Sequence, residues 1–314
     1  MKKILLSLLI AIGLGVSNNN KVEIPACSIV ETKEEKQDKV TENIQTQRDD
    51  KLENYVIGVV AGEMSVSFPY EALKAQAVAS RTYAVRGANG NKNFDYTKLK
   101  QNYISVDKMK KMWGKNFDEN YKKISQCVNA TQGEILEYNN EPILAVFCST
   151  SNGETENCKD VWGQDLQYLT SVESTGDKYS PYYNGTVTVS AKTVKSIFGS
   201  ENIAIKERTS AGYVATVSIG GKEFSGEKIR TTFHLKSCDF TITRSGSDIV
   251  FKTKGYGHGV GMSQYGAVYM ANNGTKYIDI LSHYYKNTNL LWVILNCAVF
   301  CIKIVRNERS CFYG

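Results

Sequence analysis

Apolar residues recur at helical spacing near residue 50. The spacing between these residues is one, three or four positions, which places them on one face of a helix over 52–63. The group consists of Leu52, Tyr55, Val56, Val59 and Val60. The chain also predicts helices at 70–87 and 106–113, and a late helix at 262–274.

From residue 133 onward, the apolar positions indicate strands. Two apolar runs in EILEYNNEPILAVFCST are joined by Tyr138-Asn139-Asn140-Glu141, which is typical of a hairpin. Alternating segments with glycine-rich turns follow in GTVTVS, GYVATVSIGGKEFSG and CDFTITRSGSDIVFKTKG. The predicted fold class is α+β, with N-terminal helices packed on an antiparallel, strand-rich body and a late helix, in a single domain over 52–290.

The first residues indicate export. Lys2 and Lys3 precede the apolar run ILLSLLIAIGLGV, which is typical of a secretory signal and shorter than the roughly 20 residues of a spanning helix. No clear small-residue cleavage site follows, so an uncleaved anchor at 1–20 is favoured over a cleaved signal. We expect the protein at the cell membrane, with a single N-terminal anchor and the domain outside the cytoplasm.

The segments that flank the predicted domain differ from it in composition. ETKEEKQDKVTENIQTQRDDK is charged and nearly free of large apolar residues, which indicates a flexible tether over 21–51. At the other end, 291–314 is an apolar and then basic tail to which the pattern assigns no role.

Composition narrows the function classes only slightly. The 314 residues carry a net charge of +6, and no Lys/Arg block is interleaved with aromatic residues, so we expect no nucleic-acid partner. The eight cysteines form no CxxC motif and no recognisable zinc or disulfide framework. Cys148 and Cys158 are close enough in sequence to pair, although most of the cysteines are interpreted as small buried apolar residues.

Glu63 is the first candidate for chemistry. It follows Val56 by seven positions and Val59 by four, so it extends the apolar face of the first helix. Partial burial would raise the pKa of this carboxyl group and make it a proton donor near neutral pH. The alternative is a structural ion pair with Lys74, Arg81 or Arg86 of the next helix, in which Arg81 would lower that pKa.

Two later segments are rich in polar and glycine residues. VFCSTSNGETENCKDVWG crowds hydroxyl and amide groups at a strand end, where they suit hydrogen bonding to a sugar or peptide; the alternative is a solvated turn. GYGHGVGMSQYGA has four glycines among its first seven residues, which permits close backbone approach to another group. It lacks the spacing of a phosphate-binding loop, and the alternative is a tight turn before a capped helix.

Taken in order, these segments resemble the stage II sporulation protein D (SpoIID) family and its relatives among the amidase enhancers. GVVAGEMSVSFPYEALKAQAVASRTYA, VFCSTSNGETENCKDVWG and GYGHGVGMSQYGAVYMANNG carry the resemblance, supported by FSGEKIRTTFHLKSCDFTI, and it extends over about 52–290. It implies a membrane-anchored peptidoglycan lytic transglycosylase that acts in forespore engulfment during sporulation. It also implies a preference for glycan strands without stem peptides, and two partners: a cell-wall amidase and a membrane protein of the engulfment machinery.

The resemblance also assigns roles to residues. The catalytic Glu of the family's G-E-M-P motif falls on Glu63, and no cofactor or metal is expected. The candidate substrate-binding residues are Arg81, Ser149, Ser151, Asn152, His258, Ser263, Gln264 and Tyr265.

The chain departs from the family pattern at three places. Ser65 replaces the usual Pro, Cys148 stands where many members have His, and residues 89–108 lack the His and Cys of a metal cluster found in some members. Two other functions therefore stay open. One is a non-catalytic glycan-binding amidase activator, and the other is a hydrolytic muramidase that uses Asp160 or Glu154 as a second carboxylate.

Overall fold

The computed structural model describes residues 50–91 and 93–292, all within one unit of the chain. The predicted anchor, nearly all of the tether and nearly all of the tail lie outside the described residues, and the proposed domain boundaries stay predictions. The described residues form helices and several antiparallel sheets, which confirms the α+β prediction.

In this part of the chain, the α-helices are α1 (Asp50–Glu63), α2 (Tyr70–Ala88), α3 (Val106–Trp113), α4 (Phe117–Asn129), α5 (Cys158–Trp162), α6 (Ala191–Phe198), α7 (Gly226–Thr232), α8 (Gln264–Asn272) and α9 (Tyr277–Tyr284). The strands are β1 (Glu134–Tyr138), β2 (Glu141–Pro142), β3 (Phe147–Cys148), β4 (Asn184–Ser190), β5 (Ile203–Arg208), β6 (Val214–Ile219), β7 (Lys222–Ser225), β8 (Asp239–Ser245), β9 (Asp248–Lys254), β10 (Met262–Ser263) and β11 (Asn289–Trp292). They form the sheets β11-β1-β2, β10-β3, β4-β9-β8 and β5-β6-β7.

The predicted elements agree with this order. The first three predicted helices are confirmed to within two residues at each end. The late helix begins at Gln264 rather than at 262, because Ser263 caps it by accepting a hydrogen bond from the Gly266 N–H. The hairpin is also confirmed: Asn139 and Asn140 have φ angles of 53° and 64°, the left-handed conformation that a tight two-residue turn requires.

The first hydrophobic core holds the N-terminal helices together. The apolar face of α1 packs against the alanine-rich face of α2, where Ala72, Ala75 and Ala79 are fully buried. Small side chains let two helices approach closely. Helices α4, α8 and α9 and the β1 sheet complete this core, so the end of α1 lies on a rigid support.

A buried arginine, Arg81, links the helices of the first core to one another and to β1. The Arg81 guanidinium binds both carboxylate oxygens of Glu53, at 2.8 and 2.7 Å, and joins α2 to α1. It also donates to the carbonyl oxygens of Val128 and Glu134, at 3.1 and 3.2 Å. One fully buried side chain therefore connects α1, α2, α4 and β1.

A second hydrophobic core lies within residues 184–254. Val217, Phe240 and Phe251 are fully buried in it, and α6 and α7 contribute Val194 and Ile229. Strands β4 and β9 pair antiparallel along their whole length, from Asn184 opposite Lys254 to Ser190 opposite Asp248. The chain therefore enters the second core through β4 and leaves it through β9, and these two strands are paired.

No helix within 50–91 or 93–292 is both long enough and apolar enough to cross a bilayer.

We expect Arg81→Met to lower the free energy of unfolding by about 3–5 kcal/mol, because it leaves the Glu53 carboxylate buried without its partner. The double variant Glu53→Met/Arg81→Met should lose less than Arg81→Met alone, since it buries no unpaired charge. Urea unfolding followed by circular dichroism measures both. The control is Arg244→Met, which breaks an exposed pair with Glu201 and should cost less than about 1 kcal/mol. Equal effects at Arg81 and Arg244 would contradict the assigned role.

Candidate active site

Glu63 is the last residue of α1, and its side chain is half-buried. Burial raises the pKa of this carboxyl group, and the Asn102 N–H, which donates to Oε1 at 2.7 Å, opposes part of the rise. No basic side chain of the described residues forms a salt bridge with it. The carboxyl group therefore holds its proton to a higher pH than an exposed glutamate does.

The predicted alternative, an ion pair between Glu63 and the second helix, is not found. Arg81 binds Glu53, Lys74 pairs with Glu71 at 2.9 Å, and Arg86 donates to the Pro142 carbonyl. All three cations that the sequence offered to Glu63 therefore have other partners.

Two glycines on α1 bring the loop at 101–104 against the helix. A Cβ at Gly62 would lie 1.9 Å from the Asn102 carbonyl oxygen, and one at Gly58 would lie 2.8 Å from the Ile104 carbonyl oxygen. The Ile104 N–H donates to the Gly58 carbonyl at 3.1 Å, and the Asn102 amide donates to the Gly62 carbonyl. Because only glycine leaves this space, the Asn102 N–H can reach Glu63. A pair of glycines four positions apart was visible in the sequence as a signal for this close approach.

The N-terminus of α8 reaches the same place. The Gln264 side-chain amide donates to the backbone carbonyl of Glu63 and to the Gln76 side-chain oxygen, both at 3.3 Å. The glycine-rich segment and the end of α1 are thus in direct contact, although they are 201 positions apart in the chain.

The serine-rich segment joins them through paired strands. Strand β3 pairs in parallel with β10, with Phe147 opposite Met262 and Cys148 opposite Ser263, and the Tyr265 N–H donates to the Ser149 carbonyl at 3.1 Å. Cys148 is buried and its thiol is free, as are those of Cys127, Cys158 and Cys238. The suggested pairing of Cys148 with Cys158 is therefore wrong.

A buried carboxylate, Asp177, organises both segments. It accepts hydrogen bonds from the Ser151 hydroxyl, from the Ser151 N–H at 2.9 Å and from the Ser263 hydroxyl at 2.5 Å. Burial raises the pKa of Asp177, and the hydrogen bonds from Ser151 and Ser263 oppose that rise. The sequence does not mark this residue as functional, because an isolated acid in STGDKYS forms no pattern.

Three of the predicted substrate contacts do not face solvent. Arg81, Ser151 and Ser263 are all fully buried, the first bound to Glu53 and the two serines to Asp177. None of these three side chains is exposed in this structure, and their roles as glycan contacts stay predictions. Their polar groups are already used to hold the fold around Glu63.

Asn152 and His258 contact other groups. The Asn152 amide donates to the Ala211 carbonyl at 2.9 Å and to Asp239 at 3.2 Å. The His258 ring lies 5.0 Å from that of Trp162, and its Nδ1 accepts from the Val260 N–H at 3.0 Å. Burial, with a contribution from the Arg230 charge, lowers the pKa of His258 to about 4, so the imidazole is neutral at pH 7. Their roles as glycan contacts stay predictions, as do those of Ser149, Gln264 and Tyr265.

Aromatic side chains form a row that includes Tyr265, the residue after Gln264, and we call it the aromatic row. Tyr265 makes edge contacts with Phe68 at 5.3 Å and with Tyr182 at 5.8 Å, and Tyr182 in turn contacts Tyr256 at 5.9 Å. Tyr182 and Tyr256 are each 44% exposed, so flat ring surfaces remain open to solvent. Tyr256 and Tyr265 lie in GYGHGVGMSQYGA, whereas Phe68 and Tyr182 come from two other segments, so the sequence pattern did not reveal the row.

Among residues 50–91 and 93–292, no three His, Cys, Asp or Glu side chains are grouped so that they could hold a metal ion. A cavity of about 610 Å³ lies apart from the contacts of Glu63, next to Asn152, Glu154, Glu173, Asp239 and Lys254.

Comparisons with known proteins agree with one another. The family profile described as "Stage II sporulation protein" (SpoIID) matches residues 40–138. The chain is 46% identical over 253 residues to "Stage II sporulation protein D" of Bacillus amyloliquefaciens, which covers 76% of this chain and 74% of that protein. It is 45% identical, with the same coverage, to the protein of the same name from Bacillus subtilis (strain 168). It is also 28% identical over 296 residues to "Amidase enhancer" of Bacillus subtilis, which covers 74% of this chain and 40% of that protein.

We expect Asp177→Asn to lower the free energy of unfolding by about 2–3 kcal/mol, because the amide replaces an acceptor of several hydrogen bonds in a buried site. Thermal and urea unfolding measure the loss. The control is Asp165→Asn, which is exposed and accepts a hydrogen bond from Gln167; it should stay within about 0.5 kcal/mol of the wild type. An equally stable Asp177→Asn variant would contradict the organising role of Asp177.

The raised pKa of Glu63 predicts a pH dependence that needs no activity assay. In the folded protein this carboxyl group releases its proton at a higher pH than in the unfolded chain. Its contribution to stability is therefore present below the unfolded pKa and is lost as pH rises towards the folded value. Relative to Glu63→Gln, the wild type should lose unfolding free energy as pH rises above about 4.5, the ordinary pKa of a glutamate. A difference that is constant with pH, or one of opposite sign, would contradict the raised pKa.

Proposed function

The chain belongs to the stage II sporulation protein D family, and on that premise we propose that it is a lytic transglycosylase that cleaves the bond between N-acetylmuramic acid and N-acetylglucosamine in peptidoglycan. The observation that supports this activity is the position of Glu63. It is a half-buried carboxyl group with a raised pKa and no cationic partner among the described residues, at the end of a helix whose last backbone carbonyl is bound by Gln264.

The hydrogen bonding of Glu63 assigns roles to its two oxygens. Oε1 accepts the Asn102 N–H at 2.7 Å, which favours keeping that oxygen unprotonated. Oε2 is then the atom that carries the proton. The carboxyl group can donate from Oε2 while the loop holds Oε1 in place.

In the proposed reaction, Glu63 first acts as an acid. It gives its proton to the glycosidic oxygen, which leaves with the bonding electrons, and an oxocarbenium-like centre develops at C1 of the muramic residue. The Glu63 carboxylate then takes the proton of the C6 hydroxyl of that same sugar. The C6 oxygen attacks C1 and closes a 1,6-anhydro ring, the acid is regenerated, and no water is consumed.

Other carboxyl groups support a single-acid mechanism over a hydrolytic one. Glu154 accepts from the Ser171 hydroxyl at 2.6 Å, and Asp160 accepts from the Asn157 amide at 3.1 Å, so their contacts are not with α1 or Gln264. Burial raises the pKa of Glu156 to about 7, but that side chain is fully buried and bonded to Thr209. A hydrolase needs a second carboxylate across the sugar from the first.

The aromatic row offers a surface for an extended glycan. Tyrosine presents a broad flat face together with a polar edge, and sugar rings carry C–H groups that pack on such faces. Gln264 binds the backbone of Glu63 and is followed in the chain by Tyr265, so the row begins next to the acid. We propose that the strand lies along this row, with Ser149, Gln264 and Tyr265 nearby.

The cellular setting is part of the proposal. We propose a role in forespore engulfment during sporulation, at the cell membrane, through a single N-terminal anchor with the domain outside the cytoplasm. The apolar run behind Lys2 and Lys3 supports the anchor. A cell-wall amidase and a membrane protein of the engulfment machinery are the proposed partners, and glycan strands without stem peptides are the proposed substrate.

One observation favours a second function. The similarity to "Amidase enhancer" supports a glycan-binding protein that activates an amidase without cleaving the strand itself. In that case Glu63 would hold the loop at 101–104 and transfer no proton.

Digestion of peptide-free glycan strands tests the proposal. We expect the wild type to release products with 1,6-anhydromuramic ends, identified by mass spectrometry, and Glu63→Gln to be slower by about 10²–10⁴-fold because it has lost its acid. Glu154→Gln and Asp160→Asn serve as matched controls and should cleave at the wild-type rate. Reducing ends, with loss of activity in either control, would indicate a muramidase. Full cellular function of Glu63→Gln would indicate the amidase activator.

A further inference from the structure

Lys236 lies at the far end of the aromatic row from Phe68. Its ammonium nitrogen is 5.6 Å from the centre of the Tyr182 ring and 5.9 Å from that of Tyr256, so two tyrosines share one cation. The aliphatic part of the side chain passes close to Gly185: a Cβ added there would lie 3.1 Å from Lys236 Cδ. The backbone is also held, because the Gly257 N–H donates to the Lys236 carbonyl at 2.9 Å.

The ammonium group has no carboxylate partner within the part of the chain that the structure describes. None of the salt bridges found among residues 50–91 and 93–292 includes Lys236, and it donates none of the side-chain hydrogen bonds found there. The lysines at 74 and 123 contrast with it, since each lies over a tyrosine ring and also donates to a nearby oxygen. Lys236 thus presents a positioned and uncompensated positive charge on the same surface as Tyr182 and Tyr256.

We infer that Lys236 recognises the free carboxylate of the lactyl group on muramic acid residues. The identity of this ligand rests on the proposed function. When a stem peptide is attached, the lactyl carboxyl group is an amide and carries no charge. Removing the peptide as a unit leaves a carboxylate on each muramic residue, so a peptide-free strand carries regularly repeated negative charges.

Two features of the surroundings support this assignment. Tyr182 and Tyr256 supply ring surface on which a sugar can pack, while the cation between them lies where a substituent of that sugar can reach it. A charge-assisted contact with a carboxylate is stronger than the contact that the neutral amide can make. A single residue therefore gives a physical reason for preferring strands without stem peptides.

The test compares two forms of one ligand. Peptide-free glycan strands are used with free lactyl carboxylates, and the same strands are used after the carboxyl groups have been converted to primary amides. Binding is measured by titration calorimetry on the full chain carrying Glu63→Gln, so that strands are not consumed. We expect the carboxylate form to bind about tenfold more tightly than the amide form, and this preference to weaken at about 0.5 M NaCl.

Variants at position 236 separate recognition from structure. In the same background, Lys236→Met should bring the ratio of the two affinities close to one while leaving the affinity for the amide form within about twofold. Lys236→Arg should retain most of the preference, because it keeps the charge. Lys252→Met, which removes an exposed lysine of β9, is the matched control and should keep the wild-type ratio.

Three outcomes would overturn the inference: equal binding of the two forms by the Lys236-containing protein, no binding of either form, or parallel weakening of both forms by Lys236→Met. The last of these would make Lys236 a purely structural support for the tyrosines. Binding that discriminates between the two forms, without 1,6-anhydro products from the wild type, would reject the proposed reaction and leave this site intact. If the wild type released 1,6-anhydro products but bound the carboxylate and amide forms equally, the proposed reaction would stand and the role of Lys236 would be rejected.

Discussion

The Asp177 carboxylate is the interaction on which the arrangement of the site depends. It accepts hydrogen bonds from Ser151 and Ser263, which belong to two segments more than a hundred positions apart. Ser263 also caps α8, and the first residue of that helix, Gln264, contacts the backbone of Glu63. A buried acceptor with several donors has few alternative arrangements, because each donor left unpaired would cost free energy. The placement of Tyr265, and of the aromatic row that contains it, follows from this constraint.

Glu63 and Arg81 show how one scaffold gives opposite environments to charged groups. The Arg81 guanidinium is fully buried but satisfied by Glu53 and by backbone carbonyls, so it serves the fold. Glu63 is only half-buried, yet it has one hydrogen bond to its side chain and no cation among the described residues. The two acids Glu53 and Glu63 lie on the same helix, and the position of one arginine decides which of them is neutralised.

Much of the scaffold could be predicted from the sequence, because local patterns determine it. Apolar spacing predicted α1, α2 and α3, and the end of the apolar face identified Glu63. Long-range pairing could not be predicted in the same way: the sequence offered Arg81 as a partner of Glu63, but in the structure Arg81 binds Glu53. Ser151 and Ser263 were recognised as polar groups of the site, but their direction depends on Asp177, which no pattern marked. The aromatic row combines two rings of the glycine-rich segment with Phe68 and Tyr182 from elsewhere in the chain, and spacing along the chain does not reveal that combination.

The paired strands β4 and β9 have a consequence for how this fold can vary. Asn184 and Lys254 lie opposite each other at the point where the chain enters and leaves the second core. The residues between them form the second hydrophobic core, to which α6 and α7 also contribute. Because Asn184 and Lys254 are paired, insertions and deletions between them leave the distance between these two residues unchanged. Length changes at a turn remote from Asn152 and Gly257, such as 220–221, are therefore expected to keep α1, α2 and the acid in register, whereas changes near Ala211, Lys236 or Asp239 would reach the site segments.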